Sequence, residues 1–209
     1  MRITRLEHDA RTGGVRVQVD GRPFGSIGPA DIAALGIGED REIDEAKAAQ
    51  LAVRAEIFSA RLVALRIIAS RALPAAELSR RLVRRGHAKP NVEIAVNALR
   101  DMGLVNDADF AKHYVRTHVQ RQRHGPRRLL GDLRRLGVTE RIAQDAVTQT
   151  MDADGVDPRT VMREAAAKKV RSLKGLEPAV AQRRLRAYLL RRGFSGGDVS
   201  AVVRELTPR

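Results

Sequence analysis

Two hydrophobic periods divide the chain. Over Val15-Arg16-Val17-Gln18-Val19 apolar and polar side chains alternate, the period of a half-buried strand. Asp20-Gly21 follows at once, a strong two-residue hairpin signal, and Phe24-Gly25-Ser26-Ile27 supplies the return strand. Ile3 to Leu6 is a further candidate strand, and Pro29 to Leu35 reads as a short helix, with Pro at its start and Gly36 beyond its end. A strand pair alone is marginal in water, so this region is expected to pack on the helices that follow.

From about Asp44 the period lengthens to that of a helix. A long Ala-rich helix is predicted from Glu45 to about Arg71, with Leu51, Ile57, Phe58, Leu62, Leu65 and Ile68 on its apolar face. Pro74 opens a second helix that stops at Gly86, and Pro90 a third that stops at Gly103. Asn106 or Asp107 caps the next, through Phe110, Tyr114 and Val115. Gly125-Pro126 breaks the chain before a helix ending at Gly137, and Thr139 caps the one after it. Asp152 to Pro158 reads as a turn-rich link, followed by helices over Arg159 to Leu173 and Pro178 to Arg192. Ser195 with Asp198 fits a capping box for the last helix.

One pattern recurs: Leu78-x-x-x-Leu82-x-x-x-Gly86, Leu129-x-x-x-Leu133-x-x-x-Gly137 and Leu185-x-x-x-Leu189-x-x-x-Gly193, at steps of 51 and 56 residues. An Arg pair precedes each Gly, and small apolar residues recur after it at Ala95, Ala146 and Val202. A period of this length marks a repeated helical module. The expected fold is mainly α: three tandem three-helix repeats (48–104, 105–155 and 156–209) in an elongated, curved body, after a small hairpin-containing region (1–47). Helices of ~15 residues make each module roughly 22 Å across and the row ~70 Å long.

Composition adds the character of the surface. The 209 residues carry a formal charge of +14, with 39 Lys and Arg. Residues 1–47 hold 7 basic and 9 acidic residues, so the excess lies in the helical part, and only 6 of the basic residues are Lys. This balance favours a polyanionic partner, nucleic acid or acidic protein. Aromatics are 3% with no Trp, which speaks against a dedicated single-strand stacking platform. The absence of Cys excludes disulfides and thiolate chemistry. Neither a secretory leader nor an apolar run of bilayer length is visible, and a monomer in the cytoplasm is expected.

The segment Leu99-x-x-x-Gly103-Leu104-Val105-Asn106-Asp107-x-x-Phe110-Ala111-x-x-Tyr114-Val115, with the three Leu-Leu-Gly helices, Ala64-Leu65-Arg66 and Arg192-Gly193-Phe194, resembles the RecX family. The resemblance spans about residues 55 to 206. It departs from the family at His87, where an aromatic often follows the Gly, and at Pro74, where Ser is common. The resemblance implies binding in the groove of the RecA–DNA filament across more than one protomer. It also implies reduction of filament growth, ATP hydrolysis, strand exchange and co-protease action, hence a place in DNA repair, recombination and the SOS response.

The arginines that flank the repeated leucines are the candidate contacts to RecA or DNA: Arg80, Arg81, Arg84 and Arg85; Arg127, Arg128, Arg134 and Arg135; Arg183, Arg184, Arg191 and Arg192. Direct binding to single- or double-stranded DNA is expected to be weak and salt-dependent. Enzymatic motifs fail on inspection. Gly193-Phe194-Ser195-Gly196-Gly197 has the hydrolase spacing but follows a helix, not a strand. Asp152-x-Asp154-Gly155-x-Asp157 has its Gly out of calcium-loop register. His113, His118 and His124 lack zincin spacing and read as surface or boundary residues. No enzyme, cofactor or metal is expected. The competing expectation is a stand-alone basic helical DNA-binding protein or transcription factor.

Overall fold

The computed structural model describes residues 1–207. Strands β1 (Ile3–Asp9), β2 (Gly14–Val19) and β3 (Arg22–Ile27) come first. The helices are α1 (Pro29–Leu35), α2 (Glu45–Ser70), α3 (Ala75–Arg84), α4 (Lys89–Asp101), α5 (Asp107–Gln122), α6 (Pro126–Leu136), α7 (Glu140–Ala153), α8 (Pro158–Arg171), α9 (Pro178–Arg191) and α10 (Gly196–Leu206). The contacts separate two compact units, Met1–Val105 and Asn106–Arg209.

In the first unit the strands form an antiparallel sheet in the order β1-β2-β3. Asp20 and Gly21 both have positive φ, 49° and 76°, the geometry of the tight turn that matches strand twist, and Val19 faces Arg22 across it. β1 runs past Leu6 because pairing continues to Asp9 opposite Gly14. The buried face, Ile3, Val17, Val19 and Ile27, shares a core with Leu35, Ile37, Ile43, Ala48 and Leu51. The start of α2 thus supplies the apolar partner that the sheet requires.

α2 serves two cores. Asp44 caps it by accepting from the Lys47 N–H at 2.7 Å. Its first turns cover the sheet; Ala64 and Ile67 lie in a second core with Leu78 and Leu82 of α3 and Val92, Val96 and Leu99 of α4. The expected apolar face is corrected accordingly. Leu51 and Phe58 are buried, but Ala60, Ala64 and Ile67 complete the stripe, while Ile57, Leu62, Leu65 and Ile68 are only half-buried. Alanine leaves room for α4 to lie close along α2, where bulkier residues are turned aside. The Glu56 carboxylate fixes the start of α4, accepting from the Ala88 N–H at 2.7 Å and the Asn91 side-chain amide at 2.5 Å.

In the second unit one continuous core runs from Ala111 of α5 to Val203 of α10, with Leu129, Leu133, Leu185 and Leu189 fully enclosed. Asn106, not Asp107, caps α5, accepting from the Ala108 and Asp109 N–H groups. The link between α7 and α8 is shorter than the sequence suggests, since α7 continues to Ala153 and Asp157 caps α8. Two expected caps differ. Thr139 occupies the cap position of α7 without a side-chain bond, its carbonyl accepting from the Ala143 N–H at 2.9 Å. Ser195 occupies that of α10, but its hydroxyl donates to the Asp198 carboxylate and accepts from no helix N–H, so no capping box closes.

Candidate partner-binding surface

The three repeated helices, α3, α6 and α9, end alike. Gly86, Gly137 and Gly193 have φ of 93°, 93° and 84°. Each donates its N–H to the carbonyl three residues back, and the next residue donates to the second repeat leucine: His87 to Leu82, Val138 to Leu133 and Phe194 to Leu189. This is the Schellman pair, which satisfies the last helical carbonyls. The residue after Gly packs against that leucine in such an end, and Val138 and Phe194 are buried there while His87 is half-exposed. The same pair closes α1 at Gly36, α4 at Gly103 and α7 at Gly155. The glycine stop is therefore general in this chain; the repeat lies in two fully buried leucines one turn apart, six in all with no exposed surface.

The arginines around those leucines are not equivalent. On α3 the Glu77 carboxylate bonds Arg80 and Arg81, at 2.9 Å each, and lies 3.6 Å from Arg84. On α6 the anchor is Asp132, 8% exposed, which accepts from Arg128 at 2.9 Å and from Arg135. The two helices use the same pair of positions with charges exchanged: Glu77 with Arg81, and Arg128 with Asp132. On α9 those positions hold Arg184 and Tyr188, so no carboxylate gathers its arginines. Arg134 pairs with Glu140 at 3.2 Å. Arg85, Arg127, Arg183, Arg184 and Arg191 are exposed and, among the described residues, have no carboxylate within 4.0 Å. Sequence reading treats all twelve as one class; the structure sorts them by whether a carboxylate falls one turn away.

α9 and α6 meet end to end. The Arg192 carbonyl accepts from the Gly125 N–H at 2.7 Å and the Gly193 carbonyl from the Arg127 N–H at 3.1 Å. Arg128 adds a bond to the Arg191 carbonyl at 3.4 Å. Unpaired carbonyls at one helix end thus satisfy unpaired N–H groups at the start of another. Beside this joint the Tyr114 and His118 rings stack at 3.7 Å, and His124 lies 5.8 Å from His118. His124 is 13% exposed and 3.9 Å from Asp132. Its buried Nδ1 has no hydrogen-bond partner. Burial, then the charges of Arg128 and Arg192 and the nearby His118, lower its pKa to about 4. His118 and His124 are thus boundary residues, while His113 is exposed.

The remaining motif residues have structural partners. Arg116 bonds both oxygens of Asp154 at 2.8 Å, holding that carboxyl below its usual range. Asp157 accepts from the Arg159 and Thr160 N–H groups at the start of α8. Asp198 binds Ser195 and, at 3.1 Å, Arg159. No helix among the described residues is long and apolar enough to cross a membrane.

Two buried leucines and a glycine stop, repeated along a basic helical chain, define a protein built of helical repeats. Comparison with known proteins specifies the family. Residues 106–147 match the model of the second three-helix domain of RecX, and residues 160–203 that of the third. The chain is 34% identical over 149 residues to the regulatory protein RecX of Mycobacterium leprae, covering 69% of this chain and 83% of the relative. It is 32% identical over 139 residues to that of Amycolatopsis mediterranei, covering 66% and 78%. A crystal structure of a regulatory protein RecX superposes with a TM-score of 0.79 at 21% identity, over 96% of this chain and 98% of that one. RecX from Lactobacillus salivarius gives 0.61 at 23% identity, over 72% and 96%. The chain belongs to the RecX family of regulatory proteins, and membership of a regulatory family fits a role without catalysis.

Proposed function

We propose that this protein binds the filament that RecA forms on DNA and lowers the recombinase, ATPase and co-protease activities of that filament. Membership of the RecX family carries the reading. The physical support is the repeated helix with outward arginines. A filament is a periodic target, so linked weak contacts at matching spacing raise each other's effective concentration. In this reading three-helix units over residues 48–104, 105–155 and 156–209 each offer one such helix. The arginines without a carboxylate partner face RecA carboxylates or DNA phosphates, with their forked donors available for bidentate bonds. The protein acts as a monomer in the cytoplasm and brings no cofactor.

The test is RecA ATP hydrolysis on single-stranded DNA with increasing amounts of this protein. Inhibition at substoichiometric ratios is expected. Undiminished hydrolysis at equimolar protein overturns the reading. Tight, sequence-selective binding to naked DNA that survives physiological salt would instead make this a stand-alone DNA-binding protein.

A further inference from the structure

The C-terminal ends of α5, α8 and α9 meet around a cleft of about 250 Å³. Five cations line it: Arg121, Arg123, Lys168, Lys169 and Arg192. Cations are favoured at helix C-termini, each of which carries about −0.5 of a charge. Three such ends account for less than two of the five. Glu164, bonded to Arg123 at 3.0 Å, accounts for one more. Among the described residues, Arg121, Lys168, Lys169 and Arg192 have no carboxylate within 4.0 Å. The cleft therefore keeps between about two and three uncompensated positive charges after its structural role is satisfied.

The aromatic ring in the cleft sharpens the contrast with α3 and α6. Lys169 and Arg192 lie 5.8 Å and 4.8 Å from the centroid of the Tyr188 ring. A ring face attracts cations without neutralising them. Where Glu77 and Asp132 quench the arginines around them, Tyr188 gathers two cations and leaves their charge intact. Arg192 also lies next to the glycine that docks on α6, so one wall of the cleft is backbone-anchored.

We propose that this cleft binds the phosphodiester backbone of a nucleic acid strand. Protein interfaces centre on a few anchors packed into well-filled, desolvated pockets. Here the apolar lining is Ala165, itself buried, and a tyrosine beneath cations. A nucleic acid strand brings one negative charge per nucleotide at regular spacing, which several fixed cations can engage together. The inference rests on the DNA-contacting part of the reading above, and of its residues only Arg192 belongs to the repeat arginines.

The test uses the full-length protein and no recombinase, so its outcome is separate from that of the ATPase assay. Binding to labelled oligothymidine and to a duplex of equal length is followed by fluorescence anisotropy across salt concentrations. Lys168→Glu with Lys169→Glu is compared with Lys112→Glu with Arg204→Glu, an equal charge change at two exposed cations outside the cleft. The cleft variant is expected to lose roughly tenfold or more in single-strand affinity at low salt, with a slope shallower by about 1.4, or ~0.7 per phosphate contact. Lys168→Glu alone changes an exposed residue and gives half that effect if the double variant misfolds. Loss in both DNA arms, or in the single-strand arm only, supports the proposal and states which form is bound. Unchanged DNA binding, or an equal loss in the control, overturns it.

Discussion

The carbonyl of Gly193 accepts a hydrogen bond from the backbone N–H of Arg127, 66 positions earlier in the chain. The third repeat glycine therefore does more than end its own helix: it docks on the start of α6. A Cβ on Gly193 would lie 2.2 Å from the Arg128 nitrogen, whereas one on Gly86 meets nothing within 4 Å. Both have positive φ, so alanine strains both by about 1–2 kcal/mol. Gly193→Ala is expected to cost roughly 3 kcal/mol or more in urea unfolding, because backbone must also move. Equal losses at the two glycines would show that the joint is not a stability element.

The buried leucines give a second expectation. Leu133 has no exposed surface in the core of the second unit, and Leu133→Ala is expected to destabilise by ~2–5 kcal/mol, the range for a leucine cavity. Chemical denaturation read by circular dichroism measures it. A loss below about 1 kcal/mol would contradict the packing described.

Asp132 and its arginines differ in burial, which predicts an asymmetry. The carboxylate is 8% exposed, while Arg128 and Arg135 are 43% and 71% exposed. Asp132→Ala leaves two solvated arginines and costs about 1–2 kcal/mol in lost charge-assisted bonds. Removing both arginines strands a buried charge and costs more, roughly 3 kcal/mol. Thermal melts of the single and double variants distinguish these; the reverse order would show that Asp132 is solvated after all.

His124 makes stability depend on pH. Its folded pKa is about 4 against ~6.5 unfolded. Above pH 7 both states are neutral there and stability is complete. Between pH 6.5 and 4 the unfolded chain takes up a proton that the fold refuses, so stability falls as the pH falls, by on the order of 3 kcal/mol in total. His124→Gln is expected to remove this loss between pH 7 and 4.5 in urea titrations. An unchanged pH profile in that variant would assign the dependence elsewhere.

The arginine sorting predicts function directly. Arg127, Arg183, Arg184 and Arg191 to Ala is expected to weaken filament inhibition with little change in melting temperature. At ~0.5 kcal/mol per contact, four contacts shift the half-inhibitory concentration by about thirtyfold. Arg128, Arg134 and Arg135 to Ala is expected to reduce stability first, since Asp132 and Glu140 lose their partners. Equal inhibition by wild type and the first variant would remove those four side chains from the interface.

Local order is legible in the sequence. Alternation over Val15–Val19, the Asp20-Gly21 turn, the prolines that start helices and the glycines that stop them all act within a few residues, and each element lies within a few positions of its expected place. The family likeness followed from the same short-range record. Which arginines stay free was not legible: whether Glu77 or Asp132 captures them depends on side-chain direction and burial, not on composition. The meeting of Gly193 with Arg127, the split of α2 between two cores and the gathering of Arg121, Lys168 and Arg192 at three helix ends join residues far apart in the chain. Periodicity describes which face of an element is apolar; which other element covers it, and which charges then converge, is set by three-dimensional packing.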